Sequence, residues 1–120
     1  MMIQVQDTVI GDGKTAVKGA LICTEYTGYL MDGTVFDSSA SRGRAFECVI
    51  GTGRVIKGWD LGVLGFDDGE QHIAPMKVGG TRQLIVPAHL AYGERTVGKI
   101  PPNSDLRFII TLLEVRTRDD

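Results

Sequence analysis

Most apolar positions in this chain recur at every second residue, which is the repeat of a strand with one buried face; only one short segment switches to a helical repeat. The pattern is clearest near the C-terminus, where Leu106, Phe108, Ile110 and Leu112 share a face while Arg107 and Thr111 punctuate the other. Short runs rich in β-branched and aromatic residues, separated by glycine, predict strands over 20–30, 34–37, 45–50, 80–86 and 106–115. Asp32-Gly33 between the first two runs is a hairpin signal, because both residues tolerate positive φ.

The helical repeat is confined to about 57–64, where Ile56, Trp59 and Val63 form one apolar stripe. One short helix and one sheet with a single buried face predict an α+β fold, a twisted antiparallel sheet curling around the helix. Trp59, in the first helical turn, then lies at one end of the sheet–helix sandwich. Two polar, turn-rich loops follow the helix. The first is GFDDGEQHIAP; the second, GERTVGKIPPNS from Gly93 to Ser104, holds Ile100 against the stiff pair Pro101 and Pro102.

Composition narrows the class. A chain of 120 residues suits one domain, 1–120, with a single core. Its apolar fraction of 42% and charged fraction of 23% are those of a globular protein and argue against disorder or coiled coil. The net charge of −2, with both signs interspersed, leaves no Lys/Arg-rich face for nucleic acid or an anionic membrane. The opening residues meet Gln and Asp before any long apolar run, unlike a secretory signal, and no later run approaches membrane-spanning length. The expectation is a soluble, cytoplasmic monomer. Cys23 and Cys48 sit in apolar strand-like runs and read as buried free thiols, with a single bridge between them as the alternative.

Several motifs are incomplete. GDGKT at 11–15 resembles the end of a phosphate-binding loop, but Thr8 stands where the motif needs glycine, and strand, not helix, is predicted to follow. FDDGE at 66–70 lacks the alternating ligands and terminal glutamate of a calcium loop and reads as a surface turn. Ser38 and Ser39 lie beside Asp37, and His72 and His89 are available, yet no nucleophile elbow presents either serine. The segment GTGRVIKGWDLGV has the glycine-rich entry into a helix that often cradles phosphate, but an indole is the wrong neighbour for an anion.

What remains is an aromatic and aliphatic set with two polar members: Tyr26, Phe36, Asp37, Phe46, Val55, Ile56, Trp59, Tyr92, Ile100 and Phe108. Each aromatic alone reads equally well as core, Phe46 and Phe108 above all. Phe36 and Asp37 are adjacent, so the strand pleat sends them to opposite faces unless the chain bends there.

Four strings, YTGYLMDGTVFDSS, F-x-x-x-IGTGRVIKGWDLGV, MKVGGTRQLIVPAHLAYG and IPPNSDLRFIITLLEV, together resemble the FKBP family of immunophilin peptidyl-prolyl isomerases, in the family's order from Gly11 to Val115. The resemblance implies a five- to six-stranded antiparallel half-barrel wrapped around one short helix, with an apolar pocket for proline and neither cofactor nor metal. It implies catalytic positions at Tyr26, Phe36, Asp37, Trp59, Tyr92 and Phe108, and ligand-binding positions at Phe46, Val55, Ile56 and Ile100. Trp59 forms the floor, and Val55 and Ile56 one wall; the Ile56 N–H and the Tyr92 phenol donate to ligand carbonyls, while Tyr26, Phe36 and Phe108 surround the carbonyl preceding proline.

The implied activity is cis–trans isomerisation of Xaa-Pro bonds in proline-containing peptides or proteins, with an apolar residue preferred before proline. Implied partners are the macrolides tacrolimus and rapamycin and, through the drug complexes, calcineurin or TOR kinase. A non-catalytic module that grips proline segments is the alternative, and a small hydrolase a third reading. Asp37 has two open roles, accepting structural hydrogen bonds or polarising the site. This chain departs from the family pattern in a longer link at about 65–75, and in a slightly short 93–99 loop with Lys99 beside Ile100.

Overall fold

The computed structural model describes residues 3–118. The elements run β1 (Gln4–Val9), β2 (Leu21–Leu30), β3 (Val35–Ser38), α1 (Ser39–Arg42), β4 (Phe46–Val49), α2 (Lys57–Leu64), β5 (Phe66–Asp67), β6 (His72–Ile73), β7 (Thr81–Val86) and β8 (Leu106–Arg116). Six of the strands form one antiparallel, open sheet in the order β1-β7-β8-β2-β3. β4 shares an edge of β2 with β3: it pairs with Leu21–Thr24, while β3 pairs with Thr27–Tyr29. The α+β architecture expected from the alternation is therefore present, and α2 coincides with the predicted helix.

The alternation works because one face of the sheet is sealed. Leu106, Phe108, Ile110 and Leu112 of β8 are at most 4% exposed, and they meet Ile22, Leu84 and Val86 in the core. At Leu113 the β2–β8 register shifts, so Val115 and not Glu114 points inward at the strand's end. The same pleat turns Cys23 outward beside the fully buried Ile22; both cysteines are free, but only Cys48 is buried, which corrects the expectation for Cys23. At the β2–β3 turn only Gly33 takes positive φ (94°); Asp32 instead accepts from the Thr34 N–H at 2.9 Å through Oδ1.

Gly58 and Gly62 bring α2 onto the sheet. A Cβ at either position would collide with Val86 or Leu84 of β7, so the helix backbone lies directly on that strand. This close approach buries Trp59 and Val63, whereas Ile56, the helix N-cap, is only half-buried. Arg82 fastens the other end of the helix. Its guanidinium is buried, pairs with Asp7 of β1 at 2.6 and 3.1 Å, and donates to the carbonyls of Gly62 and Ala74 at 2.9 and 2.8 Å.

Four of these elements were not expected. β1 carries no apolar repeat, and it becomes a strand because β7 offers its edge from Thr81 to Ile85. α1 is a single turn in which Ser38 Oγ caps the Ser41 N–H at 3.0 Å and Gly43 ends the helix with φ of 72°. The 65–75 excursion is a hairpin of β5 and β6, whose Asp68 Oδ1 accepts from the N–H groups of Glu70 and Gln71. Gln71 Nε2 reaches the Ile3 carbonyl at 3.1 Å, which ties the excursion to the N-terminal segment.

Candidate functional site

The bend required at Phe36 and Asp37 exists. The β2–β3 register passes from Gly28↔Asp37 to Tyr29↔Val35, leaving Phe36 as the extra residue of a β-bulge. The bulge lets neighbouring side chains serve one site, and the Phe36 ring then lies over Gly28, where a Cβ would stand 2.5 Å from Cζ. Gly28→Ala is accordingly expected to cost about 1–3 kcal/mol by overpacking and to displace the ring. Urea melting and loss of the Phe36–Phe108 ring NOE check both effects; an unchanged NOE at full stability would contradict them.

The glycine-rich entry to α2 is closed to phosphate by the chain itself. Gly51 adopts φ of 83°, and its N–H donates to Asp60 Oδ1 at 2.7 Å while the Gly53 N–H donates to Oδ2 at 3.1 Å. Asp60 of the first helical turn therefore occupies the donors an anion would need, and it also complements the helix dipole. This latched turn leaves Trp59 facing into the sheet's open end.

There the rings assemble edge to face. Trp59 meets Tyr26 at 5.3 Å, Phe46 at 5.6 Å and Phe108 at 5.8 Å between centroids, and Phe108 meets Phe36 at 5.7 Å. They bound a cavity of about 230 Å³ lined by nine of the ten residues expected from sequence: Tyr26, Phe36, Asp37, Phe46, Val55, Ile56, Trp59, Tyr92 and Phe108. Ile100 is not among its lining; it is 4% exposed and belongs to the core.

Arg42 and Arg54 also line the cavity and were missed. Arg42 had a readable signal, because Ser38 and Gly43 flank it as the caps of a one-turn helix. Ser38 and Ser39 are engaged structurally: besides the Ser38 cap, Ser39 Oγ accepts from the Tyr26 N–H at 3.0 Å. His72 pairs with Asp67 at 2.7 Å in the distant excursion, so no serine–histidine pair is assembled there.

Asp37 is the electrostatic centre. Its Oδ2 accepts from the Tyr26 hydroxyl at 2.6 Å and Arg42 Nη2 at 3.0 Å; its Oδ1 accepts from Arg42 Nε at 3.1 Å and the Ser38 N–H at 2.9 Å. Burial pushes the carboxyl up, but the hydrogen bonds from Arg42 and Tyr26 and the Arg42 charge outweigh it, leaving Asp37 below the usual carboxylate range. Burial first, and then the bond to Asp37 and its charge, push the Tyr26 phenol up to about 12. The Tyr92 phenol is also raised, by burial and by the Asp37 charge, with Arg95 opposing.

Two donors at the cavity are unspent. Among the described residues neither the Ile56 N–H nor the Tyr92 hydroxyl has a hydrogen-bond partner, although both residues line the hollow. The arrangement is thus an apolar box edged by two free donors and by a carboxylate paired with Arg42. It suits a ligand that is greasy in the middle and carries carbonyls at its edge.

Comparison with known proteins bears on the family and the fold. The sequence model of the family described as FKBP-type peptidyl-prolyl cis-trans isomerase matches residues 12–113. The chain is 50% identical over 110 residues to the Arabidopsis thaliana protein named peptidyl-prolyl cis-trans isomerase FKBP13, chloroplastic, covering 87% of this chain and 51% of that one. It is 44% identical to FK506-binding protein 4 of Neurospora crassa, covering 95% of this chain and 22% of the relative. The chain thus spans about half or less of the length of these curated relatives. The crystal structure of AtFKBP13 superposes with a TM-score of 0.88 at 46% identity, covering 95% of this chain and 93% of that one. With its family match over most of its length and the fold of a solved member, this chain belongs to the FKBP-type peptidyl-prolyl cis-trans isomerase family.

Proposed function

We propose that residues 1–120 form one domain that isomerises Xaa-Pro bonds by seating the proline ring on Trp59. The observation that carries this is the apolar cavity edged by the unspent donors of Ile56 and Tyr92. Rotation about the imide bond is held back by amide resonance, with a barrier of about 18–20 kcal/mol, and uncatalysed exchange takes tens to hundreds of seconds. As the bond twists, conjugation is lost and the C–N dipole falls. A water-poor aromatic box favours that less polar arrangement over the planar amide. Donors that meet the carbonyls better in the twisted state add differential binding, and about 1.4 kcal/mol lowers the barrier by a factor of ten in rate.

An ionised carboxylate only accepts hydrogen bonds, so Asp37 cannot itself hold a substrate carbonyl. Its role in this reading is to fix the Tyr26 ring and Arg42 at the rim, with its charge acting on the site from there. Phe46 and Val55 complete the walls, and Ile100 supports them from the core. The same box is a receptor for tacrolimus and rapamycin, and recruitment of calcineurin or TOR kinase by the drug complexes belongs to this proposal. So do a monomeric state and a cytoplasmic location; the two free thiols suit a reducing compartment, while the Arabidopsis relative is named for the chloroplast.

The test is NMR exchange of an uncharged Xaa-Pro peptide with and without rapamycin. Fast exchange abolished by the drug is expected; drug binding without exchange would leave only a proline-gripping module. Asp37 lies below the usual carboxylate range, near 3.9, and Tyr26 and Tyr92 lie above the usual phenol value, near 10, so neither the acid nor the phenols change charge between. Asp37 gives up its charge only as pH falls through its lowered value. The rate is therefore expected to be flat from about pH 5 to 9; a bell-shaped profile would point to acid–base chemistry instead.

A further inference from the structure

A second groove, about 410 Å³, opens beside the aromatic cavity and shares Arg54, Val55, Ile56 and Tyr92 with it. Its remaining lining includes Lys57, His89 and Arg95, and no carboxylate. Arg54, Lys57 and Arg95 are exposed, and among the described residues none of them is in an ion pair. The Arg95 guanidinium sits 5.9 Å from the centroid of the Tyr92 ring, on the wall between the two hollows. The nearby acids are occupied: Asp60 holds the Gly51 and Gly53 N–H groups, Asp105 accepts from the Ala88 N–H at 2.9 Å, and Asp37 is clasped by Arg42. Glu94 precedes Arg95 in sequence but lies outside the lining. In a protein of net charge −2, three unpaired cations around one groove make a local positive field that opposes the overall balance.

We infer that this groove receives an acidic side chain of the substrate, so that the preferred clients carry Glu or Asp within three residues of the proline on one side. The inference rests on the proline occupying the aromatic cavity. From there an extended chain advances about 3.3–3.6 Å per residue, and the shared wall of Val55 and Ile56 leads it directly into the groove. The cations act on a side chain that passes them in solvent, so the gain is moderate, about three- to tenfold in affinity, and falls with salt. Apolar packing at the cavity selects proline, and the groove selects among proline sites by charge.

The test uses peptides identical except for Glu or Gln at each position from three before to three after the proline. Dissociation constants come from NMR shift titration, and turnover from exchange spectroscopy of the same samples. At one or two positions on one side, Glu is expected to bind about three- to tenfold tighter than Gln at low ionic strength. That ratio should shrink at about 0.5 M salt and approach one in the folded triple variant Arg54→Gln/Lys57→Gln/Arg95→Gln. Arg54→Lys alone, which keeps the charge, should preserve it. Equal affinities for Glu and Gln at every position, or a Glu preference that survives in the triple variant, would overturn the inference. Absence of exchange in every peptide would strike the isomerase reading only, because the affinity ratio does not need turnover.

Discussion

Replacing Trp59 by alanine is expected to lower stability by about 3–5 kcal/mol and to abolish measurable binding of proline peptides. The ring is 4% exposed and touches three other aromatic rings edge to face, so its removal deletes the common partner of Tyr26, Phe46 and Phe108. Such pairs contribute about 0.5–1.5 kcal/mol each beyond their buried area. Against a total stability of about 5–15 kcal/mol, the loss is large but leaves a folded population in cold buffer. Urea melting gives the stability, and peptide titration in the folded window gives the binding. Trp59→Leu, which keeps part of the volume, should lose less stability while still weakening the peptide. A Trp59→Ala protein that melted within 1 kcal/mol of the parent, or that still bound peptide at parental strength, would show that the indole is not the floor.

The second large effect lies outside the cavity and is asymmetric. The Arg82 side chain is 4% exposed, whereas its partner Asp7 is 30% exposed. Asp7→Ala leaves a buried guanidinium without its counter-charge, which costs about 3–5 kcal/mol. Arg82→Met removes the buried charge together with its desolvation penalty, and Asp7 has water within reach. Its cost comes from the Gly62 carbonyl, which loses its donor in a buried bond, about 1–3 kcal/mol; Ala74 is exposed, so its carbonyl has water within reach. Asp7→Ala is therefore expected to be the more damaging substitution when the two are compared by urea melting. The reverse order would mean that the two carbonyl bonds, and not the ion pair, hold β1 and the end of α2 together.

The path to the cavity was partly open to reading from composition and period. The inward face of β8 and the stripe on α2 follow from which residues alternate, because a sheet or helix with one sealed face leaves that signature on its own sequence. The adjacent Phe36 and Asp37 announced a bend, because two neighbours in a regular strand cannot serve one site. β1 left no such mark: its residues are mostly exposed, and it is a strand only because β7 has an edge to fill. Arg54 was equally silent, since an arginine on a polar segment looks like any solvated charge until the fold sets it at a rim, whereas Arg42 was marked only by its flanking caps.

Local chemistry along the chain determined β2, β3, β4, β7 and β8, the helix α2, the Gly33 turn and the identity of the aromatic residues, because each depends on neighbours within a few positions. Only the tertiary structure decided that Ile100 supports the core while nine other residues share one hollow, that Asp60 fills its own glycine turn, and that three cations stand unopposed beside the aromatic box. Those outcomes join residues far apart in sequence, and their electrostatics depend on which charges the fold has already paired.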